Sequence, residues 1–210
     1  MKTVITVQHP KSQQHENGMI GSLGAWELTE QGILHARKIA AGLLRDGYGE
    51  DTLLISSDLM RTAQTAEIIG ECLGVKPVYT PLLREFDLGE ANGKTKAWAK
   101  ENLHCPVWQG TRDWAKSIDG RVFAEAETKR EVYVRLEQFL AEYVAPQAGN
   151  LILVSHAGTL SVLFALWMGL PVEALEKVNF DGKAGGVSVL KEDADGHRIL
   201  AKLNDMQYTV

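Results

Sequence analysis

Short apolar runs alternate along this chain with longer segments of helical period. That alternation limits the folds open to it more than any other feature. Thr3–Gln8 opens the chain as a β-rich run with Val4, Ile5 and Val7. Thr52–Ser56 and Leu151–Ser155 read as buried strands, and a short strand is expected near Val78. Between them Thr29 can cap a helix whose residues Ile33, Ala36, Ala40, Leu43 and Leu44 follow 3/4 spacing. Asp58 can cap a second helix, with a stripe of Leu59, Ala63, Ala66, Ile69 and Leu73 and a stop at Gly74. Thr128-Lys129-Arg130-Glu131 has the capping-box pattern, followed by an apolar face of Val132, Leu136, Phe139, Leu140 and Tyr143. A further helix is expected from near Gly158 to about Met168. The chain ends as two strands, Gly186–Lys191 and Ile199–Leu203, joined by a turn at Asp195-Gly196. Strands alternating with helices predict an α/β fold, a three-layer αβα sandwich with a mostly parallel central sheet and an antiparallel edge.

The 210 residues show no repeat, no low-complexity tract and no long Pro/Gly/Ser linker, so a single domain over 1–210 is expected. With 22 Lys+Arg against 27 Asp+Glu, the net charge of −5 argues against a nucleic-acid partner. It does not exclude a small anionic substrate, because a pocket can be positive inside an acidic protein. Cys72 and Cys105 make neither a CxxC pair nor zinc-ligand spacing and read as reduced thiols. The opening apolar run is too short for a signal peptide, and the Leu160–Leu170 run is broken by Gly169 and Pro171. No membrane partner and a cytoplasmic location are the expectation.

In open α/β sheets ligands bind beyond the carboxyl ends of the strands. The first strand ends in Gln8-His9-Pro10, and the second in Ser56-Ser57-Asp58 with Arg61 in the next helical turn. The Leu151–Ser155 strand ends in His156-Ala157-Gly158. Two histidines and an arginine therefore meet on one rim, where they have no evident packing purpose.

These residues resemble the histidine phosphatase superfamily, the phosphoglycerate mutase-like proteins. Gln8-His9-Pro10-Lys11-Ser12 stands where that family has Arg-His-Gly followed by a hydroxyl residue. Leu28-Thr29-Glu30-Gln31-Gly32 is similar to its first helix start. Ser56-Ser57-Asp58-Leu59-Met60-Arg61-Thr62-Ala63-Gln64-Thr65-Ala66 is a close match to its most specific signature. Leu83-Arg84-Glu85-Phe86-Asp87-Leu88-Gly89 resembles the segment with the acid residue, and Val154-Ser155-His156-Ala157-Gly158 the second histidine motif. The matches run in family order from residue 4 to about 165.

The resemblance implies a phosphomonoesterase with His9 as nucleophile, able to attack phosphorus as a neutral imidazole. Arg61 and His156 would stabilise the transferring oxygens, and Glu85 would be general acid and then base. Gln8, Ser12 and Ala157 would complete the phosphate site, the last through the helix N-terminus. No cofactor and no metal are implied. The expected partner is a small phosphorylated molecule, with a homodimer left open. Gln8 replaces a guanidinium by a neutral amide, and losing one preorganised donor costs about 2.7–4 kcal/mol. Weak turnover, or a phospho-ligand binding protein, is thus the alternative; a phosphoglycerate mutase is the second. Lys11 and, if protonated, His15 are candidates to restore positive charge. Lys94–Phe123, with Trp98, Trp108 and Trp114, corresponds to an insertion that covers the family's active site. It reads either as an aromatic-lined cap, with Trp98, His104, Arg112 and Arg121 near substrate, or as a small satellite core. Gly89-Glu90-Ala91-Asn92-Gly93-Lys94-Thr95 has one residue too few between its glycines for a nucleotide loop.

Overall fold

A computed structural model describes residues 2–102 and 117–209. His104, Cys105, Trp108, Arg112 and Trp114 lie outside them. Six strands form one sheet: β1 (Lys2–Gln8), β2 (Leu53–Ser57), β3 (Val78–Thr80), β4 (Leu151–Ser155), β5 (Val187–Glu192) and β6 (Arg198–Asp205), in the order β3-β2-β4-β1-β5-β6. The pairs β3-β2, β2-β4 and β4-β1 are parallel, and β5 and β6 are antiparallel additions. The expected mostly parallel sheet with an antiparallel edge is the observed one.

Five α-helices accompany it among the described residues: α1 (Glu30–Arg45), α2 (Met60–Leu73), α3 (Lys96–Glu101), α4 (Lys129–Phe139) and α5 (Ala157–Trp167). The pleat of β4 explains the layers. Ile152 and Val154 face a core with Ile39, Leu43 and Ile69 from α1 and α2. Leu151 and Leu153 face a second core with Leu136, Phe139, Leu163 and Trp167 from α4 and α5. Both faces are covered, so the central strands are apolar throughout. α5 is buried from Thr159 to Trp167, which accounts for its lack of a polar face.

Local signals mostly act as read. The Thr29 hydroxyl accepts from the Gly32 N–H, Gly74 ends α2 at φ 74°, and Thr128 and Glu131 form the capping box of α4. Gly32 also has a packing reason, since a Cβ there would lie 2.0 Å from the Lys11 carbonyl oxygen. Asp58 is a correction. The residue before α2 is Leu59, without a side-chain cap, while the Asp58 carboxylate takes a two-point bond from Arg84 at 2.7 and 2.6 Å. A guanidinium fork is the stronger partner for a carboxylate than one backbone N–H. Asp58 therefore ties the β2–α2 corner to the segment that carries Glu85. After Phe139 the α4 helix widens into a π turn, Leu140–Val144, which keeps Tyr143 stacked 5.4 Å from Phe139.

Candidate active site

Strand register builds the centre of the site. Gln8 of β1 stands opposite Ser155 of β4, and the His9 N–H donates to the Ser155 carbonyl at 3.0 Å. His9 and His156 thus leave adjacent strands side by side, with ring centroids 5.2 Å apart. Arg61, the second residue of α2, reaches them from β2 and is only 1% exposed.

The hydrogen bonds assign the His9 tautomer. His9 Nδ1 lies 2.8 Å from the Pro10 carbonyl, which can only accept, so Nδ1 carries the proton. The Nε2 lone pair accepts from Arg61 Nε–H at 3.2 Å. Burial and the Arg61 charge hold the His9 pKa well below its ordinary value, so the ring is neutral. Ser57 Oγ accepts from the Leu59 N–H and lies 3.0 Å from His156 Nε2. Ser57 Oγ can give its hydrogen to Nε2 or accept one from it, so this contact fits either His156 tautomer. The His156 Nδ1 is buried and unpartnered among the described residues. Burial, Arg61 and His9 keep this ring neutral as well.

Arg61 also donates to the Gly24 and Ser22 carbonyls, at 3.1 and 2.6 Å. Burial brings its pKa down to about 10, opposed by Glu85, so it stays a cation at neutral pH. Glu85 sits on the first turn of α5. One oxygen accepts from the Gly158 N–H at 3.1 Å and the other from the Thr159 N–H at 3.0 Å and its hydroxyl at 3.2 Å. Its segment is pinned by Arg135 on the Leu82 and Arg84 carbonyls, Ser155 on Leu83 and Thr159 on Arg84.

A cavity of about 410 Å³ opens over these groups. Gln8, His9, Arg61, Glu85, Ala157 and Gly158 line one side of it; His15 and Lys96 also lie on its wall. Ile20, Phe86, Leu88, Val122 and Phe123 make it largely apolar. The structure thus brings His9, Arg61, Glu85 and Gln8 to one cavity, with His156 directly behind His9. The Gln8 amide packs against Gly182, where a Cβ would lie 2.2 Å from Gln8 Oε1.

Other candidates are placed differently. Ser12 is fully buried, with its hydroxyl 3.4 Å from His9 Nδ1 and 3.3 Å from His15 Nδ1; it braces the histidines and is not on the wall. His15 lines the cavity, but burial lowers its pKa, with the Ser12 carbonyl opposing, so it adds no cation. Lys11 turns outward to Glu16 at 2.7 Å and does not reach the cavity. Trp98 belongs to a satellite core with Ile20, Ala91, Ala99, Phe123 and Ala126; it lies 5.9 Å from the Phe123 ring and off the wall. Arg121 pairs with Glu131. Within the described part of Lys94–Phe123, the satellite-core reading holds for Trp98, while Lys96, Ser117, Gly120, Val122 and Phe123 do line the cavity.

Among the wall residues that escaped sequence reasoning are Gln14, Ser22, Glu127 and Lys129. Glu127 is held by Arg135. Lys129 is buried at the start of α4 and donates to the Leu175 carbonyl at 2.8 Å. Burial brings its pKa down to about 8, with Glu176 opposing. A lysine in the first helical turn opposes the helix dipole, and that mismatch was the available signal.

The family model of the histidine phosphatase superfamily (branch 1) matches residues 4–205. A Hydrogenobacter thermophilus protein named "Putative phosphoserine phosphatase 2" is 28% identical over 181 residues, covering 86% of each chain. An Enterobacter protein named "Probable phosphoglycerate mutase GpmB" is 31% identical over 181 residues, covering 83% of this chain and 78% of that one. The solved structure of a mycobacterial glucosyl-3-phosphoglycerate phosphatase superposes with a TM-score of 0.80 at 23% identity, over 97% of this chain and 99% of that one. No helix among the described residues is long and apolar enough to cross a membrane. With strand order, paired histidines and family match in agreement, the chain belongs to the histidine phosphatase superfamily and is by class a histidine-type phosphatase.

Proposed function

We propose that the protein hydrolyses a small phosphomonoester through a phosphohistidine at His9. The observation that carries this reading is the His9 tautomer: Nδ1–H is committed to the Pro10 carbonyl, and the neutral Nε2 lone pair meets Arg61 beside the cavity that Glu85 shares. In the first step Nε2 attacks phosphorus and the P–O bond to the alcohol breaks. Glu85 gives its proton to the leaving oxygen. In the second step water attacks the phosphohistidine, Glu85 takes the water proton, and the N–P bond breaks to release inorganic phosphate. Arg61 exchanges its bond to Nε2 for bonds to the transferring oxygens. His156, packed edge-on against His9, is the second imidazole beside the same oxygens.

Gln8 favours slow turnover. It supplies an amide where the family supplies a guanidinium. Lys11, the sequence candidate for compensation, faces Glu16 instead. Losing one such donor lowers the rate roughly a hundred- to a thousandfold.

The test is release of phosphate from p-nitrophenyl phosphate by wild type, His9→Ala and Gln8→Arg, with trapping of an acid-labile phosphoenzyme. Wild-type turnover that vanishes in His9→Ala supports the reading, and equal rates overturn it. Incubation with a phosphoglycerate, scored for isomer exchange against phosphate release, separates a hydrolase from a mutase.

A further inference from the structure

Gln14 is 6% exposed and lines the cavity, yet its Oε1 has no hydrogen-bond partner among the described residues. A buried amide oxygen left unpaired is costly, and such a group calls for an explanation. Packing alone does not give one, because a methionine would fill the same volume without a polar atom. The side chain packs against Gly21, and the Gln14 backbone is tied to Lys96. A Cβ on Gly21 would lie 3.3 Å from Gln14 Cγ, and Lys96 Nζ donates to the Gln14 backbone carbonyl at 3.1 Å. Ile20, Leu88 and Phe123 share the cavity wall with it. A primary amide has one accepting and one donating atom, and rotation about Cγ–Cδ turns either toward the cavity. The ligand group matching both is a hydroxyl, which donates and accepts.

We propose that Gln14 is a specificity-determining residue and reads a hydroxyl on the alcohol part of the phosphomonoester, so that polyol phosphates are the favoured substrate class. This rests on the phosphatase reading above. A site built to pair a polar group discriminates against the analogue that lacks it, because the site's own group is then left unpaired.

The test compares cyclohexyl phosphate with inositol 1-phosphate, which share a six-carbon ring and differ in hydroxyls. The readout is the ratio of their kcat/KM values in wild type, Gln14→Met and Gln14→Glu. Gln14→Met lowers the inositol-to-cyclohexyl ratio by about tenfold or more, and Gln14→Glu, which keeps acceptor atoms, retains most of it. Gln14→Met also leaves the melting temperature equal or raised, since it removes a buried unpaired group; a purely structural glutamine would show a fall. An unchanged ratio in Gln14→Met overturns the proposal while leaving the phosphatase reading intact. If wild type hydrolyses neither these esters nor p-nitrophenyl phosphate, the phosphatase reading fails and this inference with it.

Discussion

One side of the cavity carries His9, Arg61 and Ala157 at strand ends and helix starts beside the sheet, whereas the other carries Lys96 at the start of the short helix α3 and Val122 and Phe123 of a satellite core. On the first side nearly every polar atom is fixed by a bond to the sheet or its flanking turns. Arg61 has three such bonds, and Glu85 sits on two backbone N–H groups of α5. On the second side Ile20 and Phe123 belong to a small apolar cluster, and Gln14, beside Lys96, has an unpaired oxygen. Polar groups fixed by the fold thus share the cavity with a wall built on that cluster.

If this contrast is right, substitutions on the sheet side act on kcat and those on the other side act on KM and specificity. The largest effect is expected for His9→Ala: kcat on p-nitrophenyl phosphate falls by about a thousandfold or more, with the fold retained by circular dichroism. Next comes acid stability. His9 and His156 are held neutral by burial, with folded pKa values below the unfolded value of about 6.5. Above pH 6.5 neither state takes the proton, so these groups add no pH dependence. Below it the unfolded chain takes protons that the folded chain refuses, so stability falls as pH drops. The limit is about 1.4 kcal/mol per pH unit for each histidine, or about 2 kcal/mol each at pH 5. Urea midpoints at pH 7.5 and 5 measure this, and a His9→Asn/His156→Asn double variant flattens the difference. A pH-independent midpoint in wild type would break the burial argument.

A smaller gain is expected from Gln8→Arg, about ten- to a hundredfold in kcat/KM, as a guanidinium returns to the phosphate site. The Gly182→Ala variant works in the other direction, because its methyl group meets the Gln8 amide. The least effect on chemistry belongs to Trp98→Ala. It costs about 1–3 kcal/mol of stability through the satellite core yet changes kcat on p-nitrophenyl phosphate less than about threefold. A large kcat loss there would erase the distinction between the two sides.

The same contrast explains what was legible in the sequence. His9, Arg61 and His156 were readable because strand ends place them and strand register carries them together, whereas Glu85 was readable only through the resemblance to the family. Asp58 and Lys11 were misjudged because their partners, Arg84 and Glu16, compete through charge, which local capping and position rules do not weigh. Gln14 and Glu127 gave no motif, and the capping box around Lys129 marked a helix start rather than a cavity wall. Their place on the wall depends on how the connection after β1 meets α3 and the start of α4, through contacts such as Ile20 with Lys94 and Lys96 with Gly18. Trp98 was ambiguous because an aromatic in an aperiodic segment fits a cap wall and a satellite core equally well.

The seating of Glu85 on α5 bears on how the enzyme can be dissected. The backbone N–H groups that start a helix are a natural seat for an anion, and here a carboxylate of the protein already fills it. On the proposed mechanism, truncating Glu85 to alanine does two things at once: it removes the proton carrier and vacates an anion seat on the cavity wall. Inorganic phosphate or sulfate from the buffer can then lodge there and inhibit, which makes the acid look more important than it is. Glu85→Gln keeps the seat filled through its amide oxygen, and the difference between the two variants, read at rising phosphate concentration, separates proton transfer from product retention.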